Sequence, residues 1–132
     1  MTAYEQGNFQ RAYKQFTQLA LQNNTEAQYN LAFMYFSGEG IPQDDEKAVS
    51  WFKQAAKSAH AGAQDTLAYL YLHGRGLDAD RIQAYAWYSV AAENGIFLAK
   101  NISESLKKQM NIDERIQADI LSKQYIKEYK KK

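Results

Sequence analysis

The sequence has 132 residues, no cysteine, one proline (Pro42) and no long apolar run. Without Cys there are no disulfide staples, thiol nucleophiles or thiolate metal ligands, so stability must come from packing and redox chemistry leaves the compartment open. No stretch approaches the roughly 20 consecutive apolar residues of a spanning helix, so no membrane span is predicted. Met1 to Gln10 lack the charged-then-apolar layout of a signal peptide. Charge of one sign is missing too. Sixteen basic against fifteen acidic side chains leave a net +1, which sets up no field for a polyanion, and nucleic acid is not an expected partner. One Pro and seven Gly are few for an all-β chain, and the apolar residues recur at helical rather than alternating spacing.

What the chain does have is 45% hydrophobic and 14% aromatic residues, enough to fill a core, arranged in a repeat. A shift of 36 residues superposes Ala27 on Ala63, Leu31 on Leu67, Tyr35 on Tyr71, Gly38 on Gly74 and Gly40 on Gly76. It continues with Asp44 on Asp80, Ala48 on Ala84, Trp51 on Trp87 and Ala55-Ala56 on Ala91-Ala92, without insertions. Such a period marks stacked supersecondary units, none able to bury its apolar face alone. Backwards, Asn8, Ala12, Phe16 and Ala20 fall on Asp44, Ala48, Phe52 and Ala56, so the N-terminal segment reads as the second helix of a preceding unit whose first helix is missing or reduced to Thr2–Gln6. Forwards, Ala99 continues the series before the pattern decays. The organisation expected is one domain over 1–132: a half-repeat (1–24), two repeats (25–60 and 61–96) and C-terminal capping helices (97–132).

Each residue type has a physical reason to stand where it does. Ala27, Leu31 and Tyr35 form one stripe on a first helix, and Ala48, Trp51 and Ala55 the facing stripe on a second, with Trp51 and Trp87 expected to fill the space between. Gly38 and Gly74 fall where a left-handed residue would stop the first helix. Asn8, Asp44 and Asp80 are placed to cap the next one. Asp80 with Gln83, and Asn111 with Glu114, follow the capping-box pattern, the latter predicting a last helix over about 112–128 that covers the end of the stack.

The run Ala27-Gln28-Tyr29-Asn30-Leu31, then Tyr35, Gly38-Glu39-Gly40-Ile41, Asp44, Lys47-Ala48, Trp51 and Ala55-Ala56 resembles the Sel1-like repeat. A second copy runs from Ala63 to Gly95. The double Gly and the D-x-x-x-A-x-x-W spacing separate it from tetratricopeptide repeats; Ala32 and Ala68 stand where Gly is common, and Ala59 replaces the Gly seen at Gly95. The resemblance implies an all-α fold, an α/α superhelix of antiparallel helical hairpins, and a non-catalytic adaptor or scaffold, often at the bacterial envelope or in host contact. Short bacterial members commonly carry a signal peptide before the counterpart of this start. The resemblance thus implies a periplasmic or secreted protein if such a segment preceded Met1, and a cytoplasmic one otherwise.

Most conspicuous residues have structural explanations. Neither Gly-x-Gly segment follows a strand or precedes Lys-Ser/Thr, so turn chemistry is expected. His60 and His73 lack partners at i+3 or i+4, so no metal site is expected and both are assigned to the surface. No catalytic constellation is present, no enzyme activity is predicted, and no cofactor is implied. Glu39 and Arg75 share a loop position in successive units with opposite charges, and an ion pair is conceivable there. The basic end, Lys127 and Lys130 to Lys132, reads as a solvated tail.

Tyr29, Phe33 and Phe36, with their period mates Asp65, Tyr69 and Leu72, lie off the Leu31/Tyr35 stripe. They either pack between adjacent first helices or line the inner groove and anchor a protein or peptide partner. Two other readings stand beside this one: recognition of, or weak action on, cell-wall glycan, which would call for a pocket with two carboxylates and an aromatic platform; and a homodimer formed through the exposed ends of a short stack.

Overall fold

A computed structural model describes residues 3–132. Its helices are α1 (Ala3–Leu21), α2 (Thr25–Ser37), α3 (Asp45–Lys57), α4 (Ala61–His73), α5 (Arg81–Glu93), α6 (Phe97–Lys108) and α7 (Ile112–Tyr129), with no strand among the described residues. Their ends obey local chemistry that recurs with the period. Asp44 and Asp80 accept the Lys47 amide and the Ile82 and Gln83 amides of the helices they open. Gly38 and Gly74, at φ 70° and 66°, close α2 and α4 by donating to the Met34 and Leu70 carbonyls. The loop between is fixed by a repeated bond: the amides of Asp44 and Asp80 donate to the carbonyls of Tyr35 and Tyr71, both at 2.9 Å.

Two capping expectations are corrected. Asn8 caps nothing, because α1 runs through it from Ala3. The positions matching the helix-stopping Gly38 and Gly40 are Thr2, outside the described residues, and Tyr4, so no glycine loop interrupts the helix, and Ala3–Gln6 joins α1 rather than forming a helix of its own. At Asp80 the reciprocal arm of the capping box is missing. The Asp80 amide is already bonded to Tyr71, and the Gln83 side chain accepts from the Tyr125 hydroxyl at 2.8 Å. The full box forms at Asn111 and Glu114, opening α7 as expected.

Helices α1 to α6 each pack on their neighbours in the chain, giving two layers: α2, α4 and α6 in one, α1, α3 and α5 in the other. Small residues allow the close approach; Ala48, Ala55, Ala63, Ala68, Ala84 and Ala91 are fully buried. The large filler is not the one expected. Phe52 and its mate Tyr88 occupy the hairpin interiors, whereas Trp51 is only partly buried and packs on Ala20, Ala27 and Leu31. Trp87 is 3% exposed because α7 covers it, Tyr125 and Tyr129 lying at ring distances of 4.6 and 5.2 Å.

Helix α7 packs chiefly on α5, with a minor contact to α3, and links to α6 through Lys107–Asp119 (2.7 Å) and the Arg115 guanidinium on the Lys107 and Met110 carbonyls. The reason lies on α5. Its outward Ala86 and Val90 are fully buried, whereas the matching α3 residues, Ser50 and Gln54, are polar and exposed. The chain end is held as well: the Tyr129 carbonyl accepts from Gln64 Nε2 (3.0 Å) and Asn94 Nδ2 (3.1 Å), the Lys131 amide donates to Asn94 Oδ1 (2.8 Å), and Lys130 pairs with Glu93. The backbone is therefore held at Tyr129–Lys131, while Lys127 and Lys130 to Lys132 keep their side chains exposed, as expected of a solvated basic end.

Candidate partner-binding face

Tyr29, Phe33 and Phe36 recur at i, i+4 and i+7 on α2, and Asp65, Tyr69 and Leu72 repeat the spacing on α4. These stripes lie beside the fully buried Leu31 and Leu67, so each side chain is half inside and half out. Phe33 and Tyr69 are the two large ones that reach water, at 37% and 46% exposure. Phe33 is held edge-on by Tyr29 (4.9 Å) and Phe52 (5.0 Å), and Tyr69 lies against the His73 ring at 4.3 Å. Phe36 is partly buried beneath the Arg75 guanidinium, 4.1 Å from its ring. That guanidinium bridges to Asp45 at 3.3 Å, and this pairing, with the stacking on Phe36, replaces the one anticipated with Glu39. Leu72 is partly buried beside Ile102 and Leu106 of α6.

His60 is not the surface residue expected. Its Nδ1 accepts the Ala63 amide (3.0 Å) as the cap of α4, its Nε2–H donates to Glu26 (2.8 Å), and its ring lies 4.4 Å from Tyr29. The bonding selects the neutral Nε2–H tautomer. Asn24 does the same capping for α2, and Ile96, the next in the series, makes no side-chain cap to α6. His60 thus joins α2 to α4 and fixes Tyr29. The sequence signal was available, since Asn24 and His60 share one position of the period.

Beneath the α4 stripe lies a second residue that sequence reasoning missed. Tyr88 stands where the preceding unit has Phe52. In the first unit an apolar ring underlies Tyr29 and Phe33; in the second a phenol underlies Asp65 and Tyr69. Burial first, and then the Asp65 charge and Tyr69, push the Tyr88 phenol up to about 12. Burial alone raises the Asp65 carboxyl above its ordinary value. Tyr29 is raised too, by burial first, opposed next by a hydrogen bond with Thr66, and then by the Glu26 and Asp65 charges.

A separate groove of about 800 Å³ opens between α5, α6 and α7, lined among others by Tyr85, Glu93, Phe97, Lys100 and Glu104. No cluster of His, Asp and Glu suited to a metal occurs among the described residues, and no helix among them is long and apolar enough to cross a membrane.

The Sel1 repeat family model matches residues 25–60 and 61–96, more than half the chain. The chain belongs to the Sel1 repeat family. Both matched units begin at the residue after the cap, Thr25 and Ala61, so the family period and the structural period coincide. Among solved Sel1 structures, a protective antigen present in uropathogenic Escherichia coli strains and displaying an SLR fold is similar at TM-score 0.85 and 30% identity, over 89% of this chain and 25% of that one. A Sel1 repeat protein from Oxalobacter formigenes is similar at TM-score 0.72 and 28% identity, over 85% of this chain and 48% of that one. The chain thus spans a quarter and about half the length of these relatives. No curated protein matches it. Sel1 repeat proteins generally mediate protein–protein interaction, and the fold is typically a non-catalytic scaffold.

Proposed function

We propose that the chain is an adaptor whose α2/α4 face holds a peptide or protein surface. The observation that carries this is the outward pair Phe33 and Tyr69, rigid rings held by neighbours yet open to water. Rings in that state present contact area without a large ordering cost. The test compares immobilised wild-type chain with Phe33→Ala/Tyr69→Ala for the proteins each retains, with helix content and midpoint checked in parallel. Proteins retained by wild type and lost by the folded double variant support the face; an identical set from both removes it.

A second reading is favoured by the α5/α6/α7 groove, which brings Glu93 and Glu104 together with Tyr85 and the exposed Phe97. This is an aromatic platform with carboxylates for sugar hydroxyls, although Glu93 is already paired with Lys130 at 3.4 Å. Calorimetry with soluble cell-wall glycan fragments tests it, and binding that survives Phe97→Ala with Glu104→Gln removes it.

A further inference from the structure

We propose that the outward face of α7 pairs with the same face of a second copy of this chain, the two helices antiparallel about a two-fold axis. Helix α7 is apolar on two opposite sides. At about 100° per residue, Ala118, Tyr125 and Tyr129 fall on the side that packs inward. Ile112, Ile116 and Ile120 fall on the other, at 74%, 56% and 64% exposure. Among the described residues no other helix carries three exposed large hydrophobics. Single apolar side chains on a surface need no explanation, whereas a contiguous row of them marks a contact.

The geometry of the row selects its occupant. A spacing of four makes it an i±4n ridge, and such a ridge interdigitates with an identical one at a crossing of about −50°. A surface that fits itself calls for a second copy, each contact then being made twice. The charges agree and set the direction. Asp113 flanks the N-terminal end of the row and Lys123 its C-terminal end, both exposed and neither in an ion pair among the described residues. The neighbouring Asp119 is already held by Lys107 at 2.7 Å. With the two-fold axis between Ile116 and Ile120, Ile116 of each copy meets Ile120 of the other, and Asp113 comes within reach of Lys123. A parallel pair would instead set Asp113 against Asp113 and Lys123 against Lys123. One face of one helix is small beside the roughly 1,200–2,000 Å² that a standing complex buries, so the pair is weak and forms with rising concentration. It does not involve the α2/α4 face and stands or falls apart from it.

The experiment is sedimentation equilibrium on the full chain between about 10 µM and about 1 mM, where the average mass should climb from one chain towards two. Ile116→Glu, at an exposed site, should keep its helix content by circular dichroism and weaken the association at least about tenfold. Asp113→Lys alone and Lys123→Asp alone should each weaken it too. An equal mixture of those two variants should associate again, because each chain then meets opposite charge at both contacts. A mass of one chain at every concentration overturns the pairing. So does association that Ile116→Glu leaves unchanged, which would put the contact elsewhere, and a mixture no stronger than its components overturns the antiparallel arrangement.

Discussion

At the scale of single residues, Gln28 and Gln64 occupy the same place in successive units, but only Gln64 has all its bonds. Both donate through Nε2 to the carbonyl that ends the previous helix, Ala20 and Ala56. Gln64 Oε1 accepts from Asn94 Nδ2 at 2.8 Å, whereas Gln28 Oε1 is buried with no partner, because Ser58 stands in the place of Asn94 and is too short to reach. The next residue carries a related defect: Ala59 holds φ 65° where the following unit has Gly95 at φ 103°. Left-handed backbone costs an L-residue roughly 1–2 kcal/mol, partly offset by the greater freedom glycine has when unfolded. Ser58→Asn with Ala59→Gly should therefore raise stability by about 1–2 kcal/mol in urea unfolding, the first change closing the Gln28 bond and the second relieving the backbone. A midpoint that fails to rise would mean that Gln28 is already satisfied. Asp65 allows a prediction of the opposite character. Its carboxyl is raised by burial among Tyr29, Tyr69 and Tyr88, so the folded state holds that proton more tightly than the unfolded chain. Its contribution favours folding below the ordinary Asp range and is lost as pH rises through the folded value. Asp65→Asn should then be the more stable form at pH 7, the gap closing as acid is added; thermal midpoints of both proteins across pH measure it.

At the scale of helices, the two tryptophans separate what the period determines from what it leaves open. Trp51 and Trp87 hold the same position of the period, yet Trp87 is sealed under Tyr125 and Tyr129 and Trp51 keeps one side in water. Trp87→Ala should cost about 3–5 kcal/mol, the usual range for a buried aromatic, and Trp51→Ala roughly half that. Urea unfolding of the two variants gives the comparison, and equal losses would contradict the position of α7 on α5. The boundaries at Gly38, Asp44, Gly74, Asp80 and Asn111 were legible because each depends on nearby atoms: an Asp for the free amides, a Gly for the left-handed stop, an Asn-Glu box for α7. The seat of α7 was less legible. It depends on which outer surface is apolar, and the clue was the exchange of Ser50 and Gln54 for Ala86 and Val90, a difference between units rather than a likeness. The same holds for the binding face. All six stripe residues could be picked out as lying off the buried line, but their exposure depends on neighbouring helices: Arg75, from the next loop, covers Phe36 and leaves Phe33 open.

At the scale of the whole molecule, the two layers are joined by phenols as well as by alanines, and this sets how the stack responds to alkali. Tyr35 is pushed up to about 12 by burial first and by its 2.7 Å hydrogen bond with Tyr13, and Tyr88 to about 12 by burial first and by Asp65. Tyr29, Tyr71, Tyr125 and Tyr129 are raised by burial in the same direction, from an ordinary value of 10.0. These residues lie on α2, α4, α5 and α7, so both repeats and the last helix hold protons that the unfolded chain would release sooner. By linkage the resulting stabilisation is complete below pH 10 and declines as pH rises through 10 to 12. Tyrosinate absorbance from these buried phenols should accordingly appear together with a cooperative loss of helix. Nearest-neighbour stacking makes that loss propagate, because ionising Tyr35 or Tyr88 opens a junction on which the adjoining unit depends. Far-UV circular dichroism recorded alongside the absorbance checks the claim, and a single titration near pH 10 with the helices undisturbed would show that the phenols are not shared between units as described.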